Sequence, residues 1–386
     1  MQHPFLPENP WLKQSKLRQI FESAPKDAIN LGLGQPGEDT PEFIREAAAR
    51  ALRDAPLGYT LNAGILPLRE KLASEFSFAR IKPHQICLTA GVQEALFAFF
   101  YTIAAPGKKI LLPDPGFLTY PSLVRLSGMD AVFYKLDKEK NFRLDADAIL
   151  TSITPDVTAV LVAHPSNPTG SNADASEMRK LVNGLNALAH PVWLVSDEVY
   201  FGMSDESCAS AATYLDVYPW TIVMRGASKS HNMTGWRLGW SVLPESLVKP
   251  YVAAHQYICT CVSALTQWTF QYIRGTEAEL NWLSEQNSRY AAKRKTVFDV
   301  LSGVRPLYGG EGAFYVMMEL NAADLNGNND DVWVSRMMHE AGVVTTPGSA
   351  FGTTTDGMIR LSCGPKEPAL LDGLNRLKVQ LTGPRL

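Results

Sequence analysis

Lys229 stands in the stretch TIVMRGASKSHNMTGWRLGW, residues 221–240, just past the apolar run Ile222-Val223-Met224. An amine at the end of a buried strand is partly desolvated, which lowers its pKa and frees its lone pair for Schiff-base chemistry. Eight residues on, Arg237 offers a planar fork of donors suited to a phosphate. Taken alone, a lysine and an arginine on one loop read as a plain charged surface. Four other stretches change that reading.

Thr89-Ala90-Gly91-Val92-Gln93 leads from an apolar run straight into a helical pattern over Glu94 to Ile103. Backbone amides at such a helix start make an anion cup. Pro113-Asp114-Pro115-Gly116-Phe117 holds an aromatic ring on a restrained turn, and His164-Pro165-Ser166-Asn167-Pro168-Thr169-Gly170 points one amide from a stiff loop. Asp197 and Tyr200 follow the run Val192 to Ser196. Each residue has a bland reading by itself: a turn glycine, a core phenylalanine, an Asx turn, a helix cap. Yet each follows an apolar run, and open α/β sheets bind ligands outside the carboxyl ends of their strands. One ligand accounts for all of them together. It has a phosphate for the cup and Arg237, a flat ring for Phe117, a basic ring nitrogen for Asp197 and an aldehyde for Lys229. Pyridoxal 5′-phosphate (PLP) has these four features.

The elements that must position these residues are legible as alternation. Apolar runs at 86–89, 109–112, 131–134, 159–163, 192–196 and 221–224 are separated by helical segments or loops. That pattern predicts an α/β fold with a mostly parallel sheet flanked by helices. A second β-like run, Arg237 to Val242, follows the lysine loop directly. Helices are expected over Trp11–Ser23, from a Thr40 N-cap and Pro41 to about Ala55, from Pro67 to Phe78, and over Thr276–Leu301. The chain divides into an N-terminal arm and small-domain segment (1–40), a large domain (41–285) and a small C-terminal α+β domain (286–386), so that the smaller domain draws on both termini. Leu31-Gly32-Leu33-Gly34-Gln35-Pro36-Gly37 formally matches G-x-G-x-x-G. No helix runs from its last glycine, so these glycines are read as places of close backbone approach to a ligand.

Composition excludes other classes. A net charge of −3, with 46% hydrophobic and 19% charged residues, gives no basic footprint for nucleic acid and no cationic membrane face. The longest apolar run, Ala95 to Ala105, is too short to span a bilayer and is read as a buried helix. The first residues show no secretory signal pattern. The five cysteines lack metal-ligand spacing, with Cys259 and Cys261 placed in one helix, and are read as reduced thiols of a cytoplasmic protein that binds no metal.

With the motifs LGLGQPGEDTP, HPSNPTG, SDEVY, SKSHNMTGWRLGW and MIRLSCG in this order, the chain resembles fold type I PLP-dependent aminotransferases of class I/II, from about Leu31 to Gly364. The resemblance implies that Lys229 is the Schiff-base lysine and proton shuttle. It assigns Asp197 to the pyridine nitrogen, Asn167 and Tyr200 to the ring oxygen, and Phe117 to the ring face. Gly91, Val92, Gln93, Ser228 and Arg237 are assigned to the phosphate. Arg360, with Asn167 and the Gly34 backbone, would grip the substrate α-carboxylate. Tyr59 matches the tyrosine that reaches a neighbouring subunit's cofactor, which implies a homodimer with shared sites. Two positions depart from the pattern. Gly226 stands where most relatives have a phosphate-binding serine, so Gly226→Ser is expected to retain PLP more tightly. Gln93 stands where some bacterial aspartate-type relatives carry a lysine that reads a side-chain carboxylate.

The activity implied is ping-pong exchange of an amino group between an L-amino acid and a 2-oxo acid. A PLP-dependent C–S β-lyase shares the fold and nearly all of these residues. The loop Gly34-Gln35-Pro36 resembles the aminotransferase form. A PLP-sensing regulator is the third class, but the stretch before Leu31 is too short for its DNA-binding module. Leu33, Phe117 and Phe351 bias the donor toward apolar or aromatic side chains.

Overall fold

A computed structural model describes residue 14 and residues 16–204 and 208–383. After the short β1 (Ile29–Asn30), seven strands form the central sheet: β2 (Ile86–Thr89), β3 (Lys109–Asp114), β4 (Asp130–Lys135), β5 (Val157–Ala163), β6 (Trp193–Asp197), β7 (Thr221–Gly226) and β8 (Gly239–Val242). Their spatial order is β2-β8-β7-β6-β5-β3-β4. Only β8 opposes the rest, antiparallel to both β2 and β7. Side chains alternate across the sheet. Leu88, Leu111, Val160, Val162, Leu194 and Val223 join one apolar cluster, while Cys87, Ile110, Leu161, Val195, Ile222 and Met224 join another. Both faces are covered by helices, which is why the β5 sequence VTAVLVA is nearly unbroken in apolar character.

A third cluster lies apart from this sheet. It joins Leu31 to Tyr290, Val297 and Leu301 of the Glu277–Leu301 helix and to Leu370, Leu374 and Leu377 of the Glu367–Thr382 helix. Its sheet contains β9 (Leu307–Gly309), β10 (Tyr315–Glu319), β12 (Thr346–Pro347) and β13 (Met358–Ser362), in the antiparallel order β12-β13-β10-β9. β11 (Val343–Val344) pairs in parallel with β1, which ties the N-terminal segment to this unit. The long helix begins where expected: the Thr276 side chain accepts from the Glu279 amide, with Glu277 and Glu279 in the first turn.

Several boundaries differ from the sequence reading. The second helix starts at Glu42 with Pro41 as its N-cap, and ends at Asp54. The Thr40 side chain does not cap it: its hydroxyl accepts from Trp236 Nε1 at 3.0 Å and donates to the Asn232 carbonyl across the fold. The third helix spans Leu66–Ser74 and is followed by a separate 3₁₀ turn at Ser77–Ala79. The cup helix begins at Val92, not Glu94. Cys259 ends its helix and Thr260 takes a positive φ of 60°, so Cys261 lies outside it. The first helix is described as Lys16–Ser23; Trp11, where it was expected to begin, lies outside the described residues.

Candidate active site

Most of the chemistry collects in one cavity of about 270 Å³ at the carboxyl ends of the central strands. Gly34, Val92, Gln93, Phe117, Asn167, Asp197, Tyr200, Ser228, Lys229, Arg237 and Arg360 all line it. Gly91 stands directly behind this lining. It is the N-cap of the Val92–Ile103 helix, with φ 86° and no side-chain cap bond. A Cβ on Gly91 would collide with the Arg237 guanidinium. Glycine there lets the fork lie over the helix start, held by bonds of 3.0 Å from Nη2 to the Ala90 carbonyl and from Nη1 to the Thr234 carbonyl. Arg237 is itself in the left-handed region at φ 57°, an uncommon conformation for a residue with a side chain.

Lys229 sits on the single turn Ala227–Ser230 that follows β7. Its Nζ donates to the Gly34 carbonyl at 2.5 Å. Loss of hydration, then the positive charges of Arg360 and Arg237, push its pKa down from 10.5 to about 8. Asp197, at the end of β6, is buried, and burial raises its carboxyl to about 6. Two donors oppose that shift: the Tyr120 hydroxyl on Oδ2 at 2.7 Å and the Val199 amide on Oδ1 at 3.1 Å. Arg360 is almost wholly buried. Its Nη1 donates to Asn167 Oδ1 at 2.7 Å and its Nη2 to the Gly32 carbonyl, while Nε has no protein partner. The guanidinium lies 4.4 Å from the Tyr315 ring centroid and 4.7 Å from that of Phe351. The Tyr200 and Tyr315 hydroxyls are 2.7 Å apart. A Cβ on Gly34 would strike the Tyr315 hydroxyl, so glycine here makes room for a side chain of the protein itself.

Two aromatic residues of the cavity escaped the sequence reading. Tyr120 lies three residues after Phe117, with the two rings edge to face at 5.6 Å, and Tyr315 comes from β10. Tyr59 lies outside the cavity and is 92% exposed.

The model of the family described as aminotransferase class I and II matches residues 26–377. The chain belongs to this family. It is 31% identical to an aspartate aminotransferase of Pyrococcus horikoshii, over 97% of this chain and 96% of that one. It is also 31% identical to aromatic-amino-acid aminotransferase 2 of Thermococcus litoralis, over 96% and 97%. A solved structure of aromatic aminotransferase from Pyrococcus horikoshii superposes with a TM-score of 0.87 at 29% identity, over 95% of this chain and 98% of that one. This aminotransferase is therefore an enzyme of amino-group transfer with the fold type I architecture.

Two of the aminotransferase's residues yield direct expectations. Gly226 has φ −164°, extended backbone open to any residue, so no left-handed strain opposes a serine. Space does. A Cβ there would lie 3.1 Å from the Leu238 carbonyl oxygen and 3.2 Å from Val92 Cγ2, between β7 and the cup. Relieving an overlap that costs about 1–3 kcal/mol shifts the strand end and carries the new hydroxyl off the geometry in which one net hydrogen bond would contribute about 1 kcal/mol. Gly226→Ser is thus expected to bind PLP no more tightly than the parent, reversing the sequence-level expectation. Titration of both proteins after stripping with a carbonyl reagent measures this, and tighter binding by the variant would show that the strand pair yields. Arg225 does not compensate, since its fork is committed to Glu198 Oε2 at 2.9–3.0 Å.

The second expectation concerns Lys229. Only the neutral amine attacks an aldehyde, so attachment of pyridoxal to stripped protein should rise with pH and reach half its maximum near pH 8. Pyridoxal lacks the phosphate and leaves the charge of Arg237 unpaired. Removing one cation by Arg360→Gln moves the midpoint upward. A midpoint near 10.5 in the parent would contradict the depressed pKa.

Proposed function

We propose that the enzyme is a PLP-dependent aminotransferase exchanging the amino group between an L-amino acid and a 2-oxo acid by a ping-pong mechanism. The observation that carries this reading is the convergence of Lys229, Asp197, Asn167, Arg237 and Arg360, from separate stretches of chain, on one cavity. The donor set fits PLP. A glycine cradle admits the Arg237 fork beside open helix amides, a buried carboxyl at Asp197 takes a ring N–H, and Lys229 presents an amine with a lowered pKa. When bound, PLP supplies an electron-accepting ring conjugated to the reacting nitrogen.

In this reading Gly91, Val92, Gln93, Ser228 and Arg237 hold the phosphate, and Phe117 covers the ring. Asp197 keeps the ring nitrogen protonated, with Tyr120 orienting its carboxylate. Asn167 and Tyr200 face the ring oxygen. Lys229 Nζ provides the covalent anchor and then moves the proton at the substrate Cα. Arg360 binds the α-carboxylate of donor and acceptor alike. The apolar lining of Leu33, Leu96, Leu123 and Val199 favours donors with apolar or aromatic side chains. We divide the chain into 1–40, 41–285 and 286–386. The separate apolar cluster of the last part supports that division, and its closure over substrate excludes water.

A homodimer is also part of the proposal, with Tyr59 reaching the cofactor phosphate of the partner subunit. Its exposure beside exposed Leu57 and Leu61, and the exposed Tyr257, support that surface. No described helix is long and apolar enough to cross a membrane. The five unbridged cysteines support a cytoplasmic location.

Incubation of the PLP-loaded enzyme with single amino acids tests the reaction type. The cofactor should convert once to pyridoxamine phosphate and stop, with no ammonia released, and the donors that drive it identify the substrate class. Continued turnover with ammonia would mean the β-lyase, which the named relatives do not favour.

A further inference from the structure

Behind the cup, Glu94, His255 and Cys259 bring a carboxylate oxygen, an imidazole nitrogen and a thiol within 4.8 Å of one another. His255 and Cys259 are one helical turn apart on the Glu245–Cys259 helix, and Glu94 faces them from the cup helix. Searching for cysteine pairs misses this set, because only one of its ligands is a cysteine.

His255 has no exposed surface, and among the described residues neither of its ring nitrogens has a hydrogen-bond partner. Glu94 Oε1 is likewise buried without one. The two groups lie 3.3 Å apart, near enough to pair as ions but not aligned as a hydrogen bond. Orphaned lone pairs this deep are costly unless something takes them up. Cys259 is half-buried, and its Sγ lies 3.5 Å from the Cys261 carbonyl oxygen. Burial raises the thiol to about 11, followed by the charge of Glu94 and the thiol's own contact with that carboxylate.

We propose that Glu94 Oε1, His255 and Cys259 Sγ form a binding site for a borderline-soft divalent cation of the zinc class. Sulfur, nitrogen and oxygen donors together suit such an ion, whereas magnesium and calcium take oxygens alone. Bonds of about 2.0 Å in a tetrahedron place neighbouring donors about 3.3 Å apart, the separation already held by Glu94 and His255. The fourth position is open to water. Cys259 lines a cavity of about 620 Å³, which gives the ion a way in. Binding displaces the Cys259 thiol proton to solvent and forms a sulfur–metal bond, with no change of oxidation state.

The site has a consequence for the cup. Glu94 Oε2 accepts the Ala90 amide, and the Ala90 carbonyl in turn accepts from Arg237. An ion on Oε1 fixes the Glu94 carboxylate and, through it, the Ala90 turn that accepts from Arg237. Slower loss of PLP from the metal-loaded protein follows. That link rests on the phosphate-cup reading, while the metal site stands without it.

The test uses PLP-loaded enzyme freed of metal by a chelator and titrated with cobalt(II), a coloured stand-in for zinc. The expected result is one ion per chain with a sulfur-to-cobalt charge-transfer band, absent in Cys259→Ser and retained in Cys261→Ser. His255→Gln should weaken binding by at least the roughly 10-fold that loss of an outer partner costs. Binding that is not stoichiometric, or a band unchanged in Cys259→Ser, overturns the site and leaves a buried Glu94–His255 ion pair only. Cobalt or zinc should also slow PLP release from the parent but not from Cys259→Ser. Equal release rates alongside a stoichiometric band would overturn the link to the cup and leave the metal site standing.

Discussion

Lys229→Ala is expected to lose about 10⁴-fold or more in turnover, the upper end of what one positioned acid–base group contributes, because the covalent role disappears with it. Among the described residues no other lysine lines the cavity, so none of them offers a second amine to take over. The variant should still bind PLP, since the Gly91 turn, Ser228 and Arg237 are separate from the amine. It should also fold, because the Lys229 side chain makes one hydrogen bond, to the Gly34 carbonyl. The stability comparison has a definite sign. The folded-state pKa is lowered from 10.5 to about 8, so between those values the unfolded chain binds a proton that the folded one does not. Cofactor-free parent protein therefore gains stability as pH rises through that window, and Lys229→Ala lacks this gain. Turnover and denaturation curves across pH check both expectations. Retained catalysis by purified Lys229→Ala would remove Lys229 from the chemistry.

Arg360→Lys is expected to slow both half-reactions by about 1.5–3 kcal/mol, roughly 10- to 150-fold in kcat/KM. Lysine keeps the charge but loses the planar fork that meets a carboxylate through two parallel bonds. It also gives up the bonds to Asn167 and Gly32 and the contacts with the Tyr315 and Phe351 rings. Stopped-flow measurement of each half-reaction separates the two. An effect on only one of them would mean that donor and acceptor carboxylates use different anchors.

The residues legible from sequence were those whose chemistry is unusual for their place. A lysine, an aspartate and a glycine turn at or just past the ends of apolar runs are poor packing choices; Lys229 and Asp197 line the cavity and Gly91 stands behind its lining. The alternation of apolar runs was legible for a similar reason, since strands buried on both faces tolerate little else. Tyr120 and Tyr315 carry no such mark. An aromatic residue near a turn or in a strand is ordinary, and only packing shows that one hydroxyl meets Asp197 and the other Tyr200. Thr40 misled for the opposite reason: its local pattern matched an N-cap, but a partner distant in sequence claimed its hydroxyl. At Gly226 the missing hydroxyl was visible in the sequence. The crowding by Leu238 and Val92 was not, because it depends on how β7 meets the cup.

Attachment of the cofactor to Lys229 is the step on which the proposed function depends. Borohydride reduction of the PLP-loaded enzyme converts that attachment into a stable secondary amine, and peptide mass mapping locates it. The phosphopyridoxyl group, one per chain, is expected on the peptide containing Lys229. Its appearance on any other lysine, or its absence from a protein that turns over with PLP, would contradict the account.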